Sequence, residues 1–280
     1  MIQIRKNVVN KILATLKDML TKERDQYENF FAEFGTTLKE GVPMEPTQKE
    51  KIAELLLFRS THSDKLTTLE EYVGRMKEGQ KDIYYITGDR LEAVKNSPYL
   101  EKLQEKGFEV LFLTDAVDEW VTQELTLFKE KKLQSITKEG LDLDTEEEKK
   151  QKAEERKALQ ERYQPLVENM KQWLSNDVKD VVFSERLTKT PVCLVSENNG
   201  LSAHMEKILS QMGEAAPKSK RILEINAQHP VFAAMAAATG EQQKTWSEIL
   251  YNQALLTEGS PLPDPVKFSN MIADLMLTKH

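Results

Sequence analysis

The first third of the chain repeats apolar side chains every three or four positions. Val8, Val9, Ile12, Leu13, Leu16, Met19, Leu20, Tyr27, Phe30, Phe31 and Phe34 share one helical face, the pattern of an amphipathic helix. It predicts one long helix over residues 6–34, stopped at Gly35, where a positive φ costs glycine nothing. A loop holding Gly41 and Pro43 is expected next. Thr47 with Glu50, and Thr67 with Glu70, have capping-box spacing ahead of further apolar runs. Residues 1–78 therefore read as helical.

At Gly79 the period shortens. Asp82–Ile86, Phe108–Leu113 and Lys132–Thr137 read as strands. Between them lie short helices around Leu91 and Val94, from Ser97-Pro98 to Gly107, and through Val117, Trp120, Val121, Leu125 and Phe128. Strands alternating with helices imply a small parallel sheet covered on both faces, an α/β/α sandwich over residues 79–140. Residues 141–176 form a polar helix with charges of both signs, docked at its far end by Leu159, Tyr163, Leu166, Val167, Met170 and Trp173. Residues 177–280 carry strand-like runs at 178–187, 192–195 and 221–225. With them come a helix over 201–212, an alanine-rich helix opened by His229-Pro230, and helices at 242–258 and 264–277. The fold class is α+β, ending in helices.

Composition narrows the function. The chain has 280 residues, 39 basic and 46 acidic, a formal charge of -7, which disfavours non-specific nucleic-acid binding. No stretch approaches the roughly 18–20 apolar residues of a membrane span, and no signal peptide is visible at the start. A single cysteine, Cys193, permits neither an internal disulfide nor a cysteine-built zinc site, and fits a reducing, cytoplasmic setting. His62-Ser63-Asp64 has triad residue types, but neighbours in sequence cannot align nucleophile, base and orienter. His62, His204, His229 and His280 lack metal-ligand spacing. Ile86-Thr-Gly-Asp89 offers one glycine without a phosphate-binding motif. No catalytic, cofactor or metal residue is assigned.

Two surfaces stand out. Leu201, Met205, Ile208, Leu209 and Met212 fall on one face of a short helix between Gly200 and Gly213. Such a face is either core or an adaptable methionine-bearing surface on a semi-detached helix. Trp120 is either core or an exposed anchor for another protein. The last helices present Trp246, Ile249, Leu250, Ala254 and Leu255, then Phe268, Met271, Ile272, Leu275 and Met276. Two helices at a chain end cannot enclose that much apolar surface, so a four-helix bundle with a second copy is expected.

Several stretches together resemble the bacterial branch of the heat-shock-protein-90 chaperone family, in collinear order along essentially the whole chain. They are Ile4-Arg-Lys-Asn-Val-Val9, Tyr84-Tyr-Ile-Thr-Gly88, Ser97-Pro-Tyr-Leu-Glu101, Phe108-Glu-Val-Leu-Phe-Leu113, Asp118-Glu-Trp120, Ser184-Glu-Arg-Leu187, Pro191-Val-Cys-Leu-Val195, Gln253-Ala-Leu-Leu256 and Asp264-Pro265. The resemblance implies the later part of a middle domain followed by a C-terminal dimerisation domain, without the family's ATP-binding domain and upstream catalytic arginine. ATP and Mg would then belong to a longer protein, and this stretch would not itself be an enzyme. It also implies client contacts at Glu119, Trp120 and Gln123 and along Leu201, Met205, Ile208 and Leu209, with Met212 extending that face by position. Homodimerisation, partly folded clients and a bacterial Hsp70 partner follow from it. The ending Leu277-Thr-Lys-His280 lacks the acidic tail by which eukaryotic members recruit tetratricopeptide co-chaperones. A small-ligand enzyme at the Thr87-Gly88 turn and a passive dimeric scaffold are the alternatives.

Overall fold

The structure, a computed structural model, describes residues 2–214 and 219–277. Two compact units emerge, one from residues 1–95 and 107–135, the other from 96–106 and 136–280.

The first unit opens with α1 (Ile2–Lys22) and α2 (Arg24–Met44), where the sequence pattern predicts one helix ending at Gly35. The break falls at Glu23, whose backbone leaves the helical region at φ -138, ψ 55. An Arg5–Glu45 ion pair joins the start of α1 to the residue after α2, so the helices run antiparallel. Gly35 sits inside α2 because a Cβ there would lie 2.8 Å from the Phe31 ring, so its role is close packing. Gly41 and Pro43 also belong to α2 rather than to a loop, with Pro43 in its last turn. The Thr47–Glu50 box does not form: Thr47 lies within a 3-10 turn, Pro46–Gln48, ahead of α3 (Lys49–Ala53), and Gln48 caps α3 without a side-chain bond. The second box is displaced by one residue. Thr67 is committed to a bridge with Phe58 through two backbone bonds of 2.8 Å. Thr68 and Glu71 therefore cap α4 (Leu69–Arg75).

Five strands form one sheet: β1 (Arg59–Ser60), β2 (Ile83–Thr87), β3 (Val110–Leu113), β4 (Leu127–Phe128) and β5 (Lys131–Ser135), in the order β1-β3-β2-β5-β4. β2 is parallel to both β3 and β5, with Tyr84 opposite Val110 and Ile83 opposite Leu133. The edges β1 and β4 are antiparallel and only two residues long, too short to register as an alternating pattern. β1 interrupts the segment expected to be wholly helical. Phe128, expected on a helix, lies in β4, because Lys129 and Glu130 both take positive φ and turn the chain into a hairpin. The helices α5 (Leu91–Lys95) and α7 (Asp118–Glu124) complete this unit. Tyr27, Leu56, Leu69, Tyr72 and Ile83 anchor its core, none of them exposed.

The second unit includes α6 (Glu101–Lys106) and α8 (Glu146–Trp173), a 28-residue helix opened by a Thr145–Glu148 capping box. As its composition predicts, α8 is solvated along its first half and buries Tyr163, Leu166, Val167 and Met170 near its end. β6 (Val178–Phe183), β7 (Val192–Val195) and β8 (Arg221–Ile225) form a sheet with β8 central, parallel to β6 and antiparallel to β7. Around it lie α9 (Ala203–Gln211), α10 (Pro230–Ala237), α11 (Gly240–Glu258) and α12 (Pro265–Leu277). His229 starts α10 as expected, its Nδ1 accepting from the Val231 N–H. α11 packs on β7 and α8 on β6 around Phe232, Met235 and Leu223.

Candidate functional site

The sequence-predicted site residues fall into three places. In the first unit, β3 leads through a short turn into α7, which leaves Trp120 half-buried and Gln123 exposed. Glu119, expected on the same surface, is turned inward at 6% exposure, because it lies on the buried side of α7 with Asp118 and Val121. Its charge, secondary to burial, helps push the phenol of Tyr85 on β2 up to about 12. What α7 offers to solvent is therefore Trp120 and Gln123, with Thr122 and Glu124 beside them.

α9 is docked, not semi-detached. Its start is capped by the Ser202 hydroxyl, which accepts from the Met205 N–H at 2.9 Å. Glu206 reaches 2.9 Å to the buried guanidinium of Arg221 on β8, which also pairs with Glu258 at 3.1 Å. A guanidinium buried that deeply needs anions, and supplying one fixes the rotation of α9. Met205 and Ile208 consequently point into the unit, at 6% and 8% exposure. Leu201 and Leu209 are half-buried, and Met212, at the C-terminal cap, is the freely exposed member. Gly213 takes positive φ just beyond it, as a helix stop requires.

The third place is the terminal helix pair. Ile249, Leu250, Ala254 and Leu255 are buried by their own chain, three of them in the core with Phe232 and Leu223, and Trp246 packs partly against that core. Their apolar surface is thus already covered. α12 differs: no residue of it is buried. At about 100° per residue, Phe268, Met271, Ile272 and Leu275 share one side and are half-buried. Val266, Ala273, Met276 and Leu277 occupy a second, exposed arc, with Ser269 the one polar residue among them. Lys267, Asn270 and Asp274 make the remaining narrow polar stripe. Asp264 accepts from the Lys267 N–H at 2.8 Å and Pro265 follows it, a good start for a helix. Lys267 reaches Glu248 of α11 at 2.6 Å. A groove of about 210 Å³ runs between the two helices, lined by Trp246, Met271 and Leu275.

The buried network around Arg186 was not anticipated. The guanidinium makes two 2.9 Å contacts with Glu224 and also donates to the carbonyls of Ile136 and Lys138. Ser184 donates to the same Glu224 carboxylate at 2.7 Å. Cys193 lies in this enclosure, and burial above all pushes its thiol up, away from a reactive thiolate.

The residues present do not fit a nucleotide at the Thr87-Gly88 turn. A Cβ on Gly88 would lie 2.6 Å from Val94, so packing accounts for that glycine, and α5 beyond it has five residues. Among the described residues no cluster of His, Cys, Asp and Glu could hold a metal ion, and no helix is long and apolar enough to cross a membrane. His62-Ser63-Asp64 forms a polar turn in which Asp64 pairs with Lys95 at 3.4 Å.

The chain resembles proteins named chaperone protein HtpG. It is 63% identical to the one from Bdellovibrio bacteriovorus over 99% of this chain and 46% of that protein. For Geobacter sulfurreducens the identity is 45%, over 98% of this chain and 43% of that protein. For Myxococcus xanthus it is 43%, over 98% and 42%. The chain thus spans less than half the length of these curated relatives. A family model described as Hsp90 protein matches residues 1–280, and with these identities it establishes that the chain belongs to the Hsp90 family.

Proposed function

We propose that the chain is the self-associating, client-holding part of a cytoplasmic molecular chaperone. The observation that carries the reading is α12, apolar over most of its circumference with no side chain buried. A helix apolar nearly all round belongs in an interior, and its own subunit covers one side only. A second copy presenting the same arc closes the surface by two-fold symmetry, giving a four-helix bundle from two α11–α12 pairs. Burying Val266, Met276 and Leu277 from each copy would contribute about 1.5–3 kcal/mol per side chain, against several kcal/mol of association entropy.

Clients would be held at Trp120 and Gln123 on α7 and at Met212 with the half-buried Leu201 and Leu209 on α9. Aromatic and methionine side chains give contact area without demanding one partner shape. Met205 and Ile208 support the α9 surface from beneath, and Glu119 does the same for α7. ATP hydrolysis with Mg, and cooperation with an Hsp70 chaperone, are proposals about a longer protein. No residue of this chain is assigned to either. The test is binding of a permanently unfolded protein to the wild type, to Trp120→Ala and to Met212→Ala. Each variant is expected to weaken binding by about 1–2 kcal/mol with melting unchanged. Wild-type affinity in both variants would overturn the site.

A further inference from the structure

α7 carries Trp120 and is anchored from beneath by the buried Glu119 and Val121. It is seven residues long, and Val117, at its N-cap, makes no side-chain capping bond. Its first turn is instead gripped from α2, which packs against it. Lys39 of α2 is 4% exposed. Its Nζ lies 2.8 Å from Asp115 Oδ2 and 2.8 Å from Asp118 Oδ1. The first contact is a hydrogen bond and the second an ion pair without hydrogen-bond alignment. The other oxygen of Asp118 accepts from the Asp115 N–H at 3.0 Å. The two carboxylates and the turn between them thus close a loop on the ammonium. The Phe58 ring faces the same nitrogen, its centroid 5.4 Å away.

Asp118 is fully buried, and burial raises its pKa against the opposing pull of Lys39. Apolar residues at 39 and 118 would fill this space with similar or greater stability. What the ion pair supplies instead is direction: an ammonium held between the buried Asp118 carboxylate and the half-exposed one of Asp115 tolerates less rotation of the turn than apolar contact does. Trp120 follows Asp118 by two residues, so rotation of that turn is transmitted to the indole.

We propose that Lys39 is a positioning residue for the α7 surface: by holding Asp115 and Asp118 it sets the angle at which Trp120 and Gln123 meet a client. This rests on the client-binding reading of Trp120, and the experiment separates the two.

In a chain carrying Trp173→Phe and Trp246→Phe, Trp120 is the one remaining tryptophan, and its acrylamide quenching reports its setting. Lys39→Met alone strands the Asp118 carboxylate and lowers melting. Lys39→Met with Asp118→Asn removes both charges, keeps an acceptor for the Asp115 N–H, and is expected to melt with the wild type. That double variant should nonetheless show altered Trp120 quenching and about 5–10-fold weaker binding of a reduced, carboxymethylated protein. Lys39→Arg should keep both at wild-type values. Wild-type quenching in the double variant would overturn the proposal. So would wild-type affinity there while Trp120→Ala loses affinity. If quenching changes but Trp120→Ala binds like the wild type, the client-binding reading fails and the positioning role stands.

Discussion

Among the described residues of the second unit Asp144 is the most heavily paired carboxylate, and replacing it with asparagine isolates one charge. It is 1% exposed, with Arg156 at 2.5 Å, Lys102 at 2.8 Å, Lys106 at 3.3 Å and Lys152 at 3.9 Å. Burial by itself would raise its pKa, but Lys102, by hydrogen bond and charge, with Lys152 and Lys106, pulls it down from 3.8 to about 2. At about 1.4 kcal/mol per pKa unit that net shift is worth roughly 2 kcal/mol. Seen from the cations, Lys106 keeps Glu148 and Arg156 keeps Glu185, so Lys102 is the group stranded. Stranding a buried ion costs about 3–5 kcal/mol. Burial, outweighing Asp144, already lowers the Lys102 pKa, so proton loss from Lys102 limits that cost. Both figures describe one interaction and do not add. Asp144→Asn is therefore expected to cost about 2–3 kcal/mol, lowering the melting of this unit by roughly 5–10 °C. The folded pKa is depressed, so the stabilisation is present above about pH 4 and lost as pH falls toward 2. Urea unfolding across that range checks both points. The difference between wild type and variant should be largest near neutrality and shrink below pH 4. A variant within about 0.5 kcal/mol of the wild type at neutral pH, or a difference that does not shrink with acid, would refute the reasoning.

Thr68→Ala should cost about 1 kcal/mol by removing the cap of α4, whereas Thr47→Ala should be nearly neutral, as denaturant midpoints would show. Gly35→Ala gains up to about 1 kcal/mol of helix propensity but drives a methyl to 2.8 Å from the Phe31 ring. A net loss of about 0.5–2 kcal/mol is expected, and a more stable variant would mean that Phe31 moves aside freely. Arg186→Met leaves Glu224 buried without its cation, with the Ser184 hydroxyl still donating to it, and should lower stability by about 3–5 kcal/mol, measured by calorimetry.

The central strands and the long charged helix were legible because their patterns are long or sharply bounded. Residues 83–86 and Val110–Leu113 are uninterrupted apolar runs, as buried parallel strands are. What escaped depends on tertiary choices. Glu23 breaks a helical period that continues on both sides of it. Thr67 and Thr68 are equivalent as cap candidates until the Phe58 bridge claims the first. The stripe on α9 looks the same whether it faces water or protein, and Arg221, sixteen residues after Met205, decides by demanding Glu206. Likewise Leu250 and Leu255 gave no sign that the sheet of their own subunit covers them, while the exposed arc of α12 was only half seen, through Met276. Lys39 looks like an ordinary surface lysine in sequence, and only the packing of α2 against α7 buries it.

The reading rests most directly on α12, and its test is the mass of the chain in solution. Light scattering at micromolar concentration should give twice the 32.2 kDa of one chain, falling to a single chain when Met276 and Leu277 are both replaced by aspartate, with the fold retained. A wild-type chain that scatters as one copy, or a double variant that still pairs, would contradict the account.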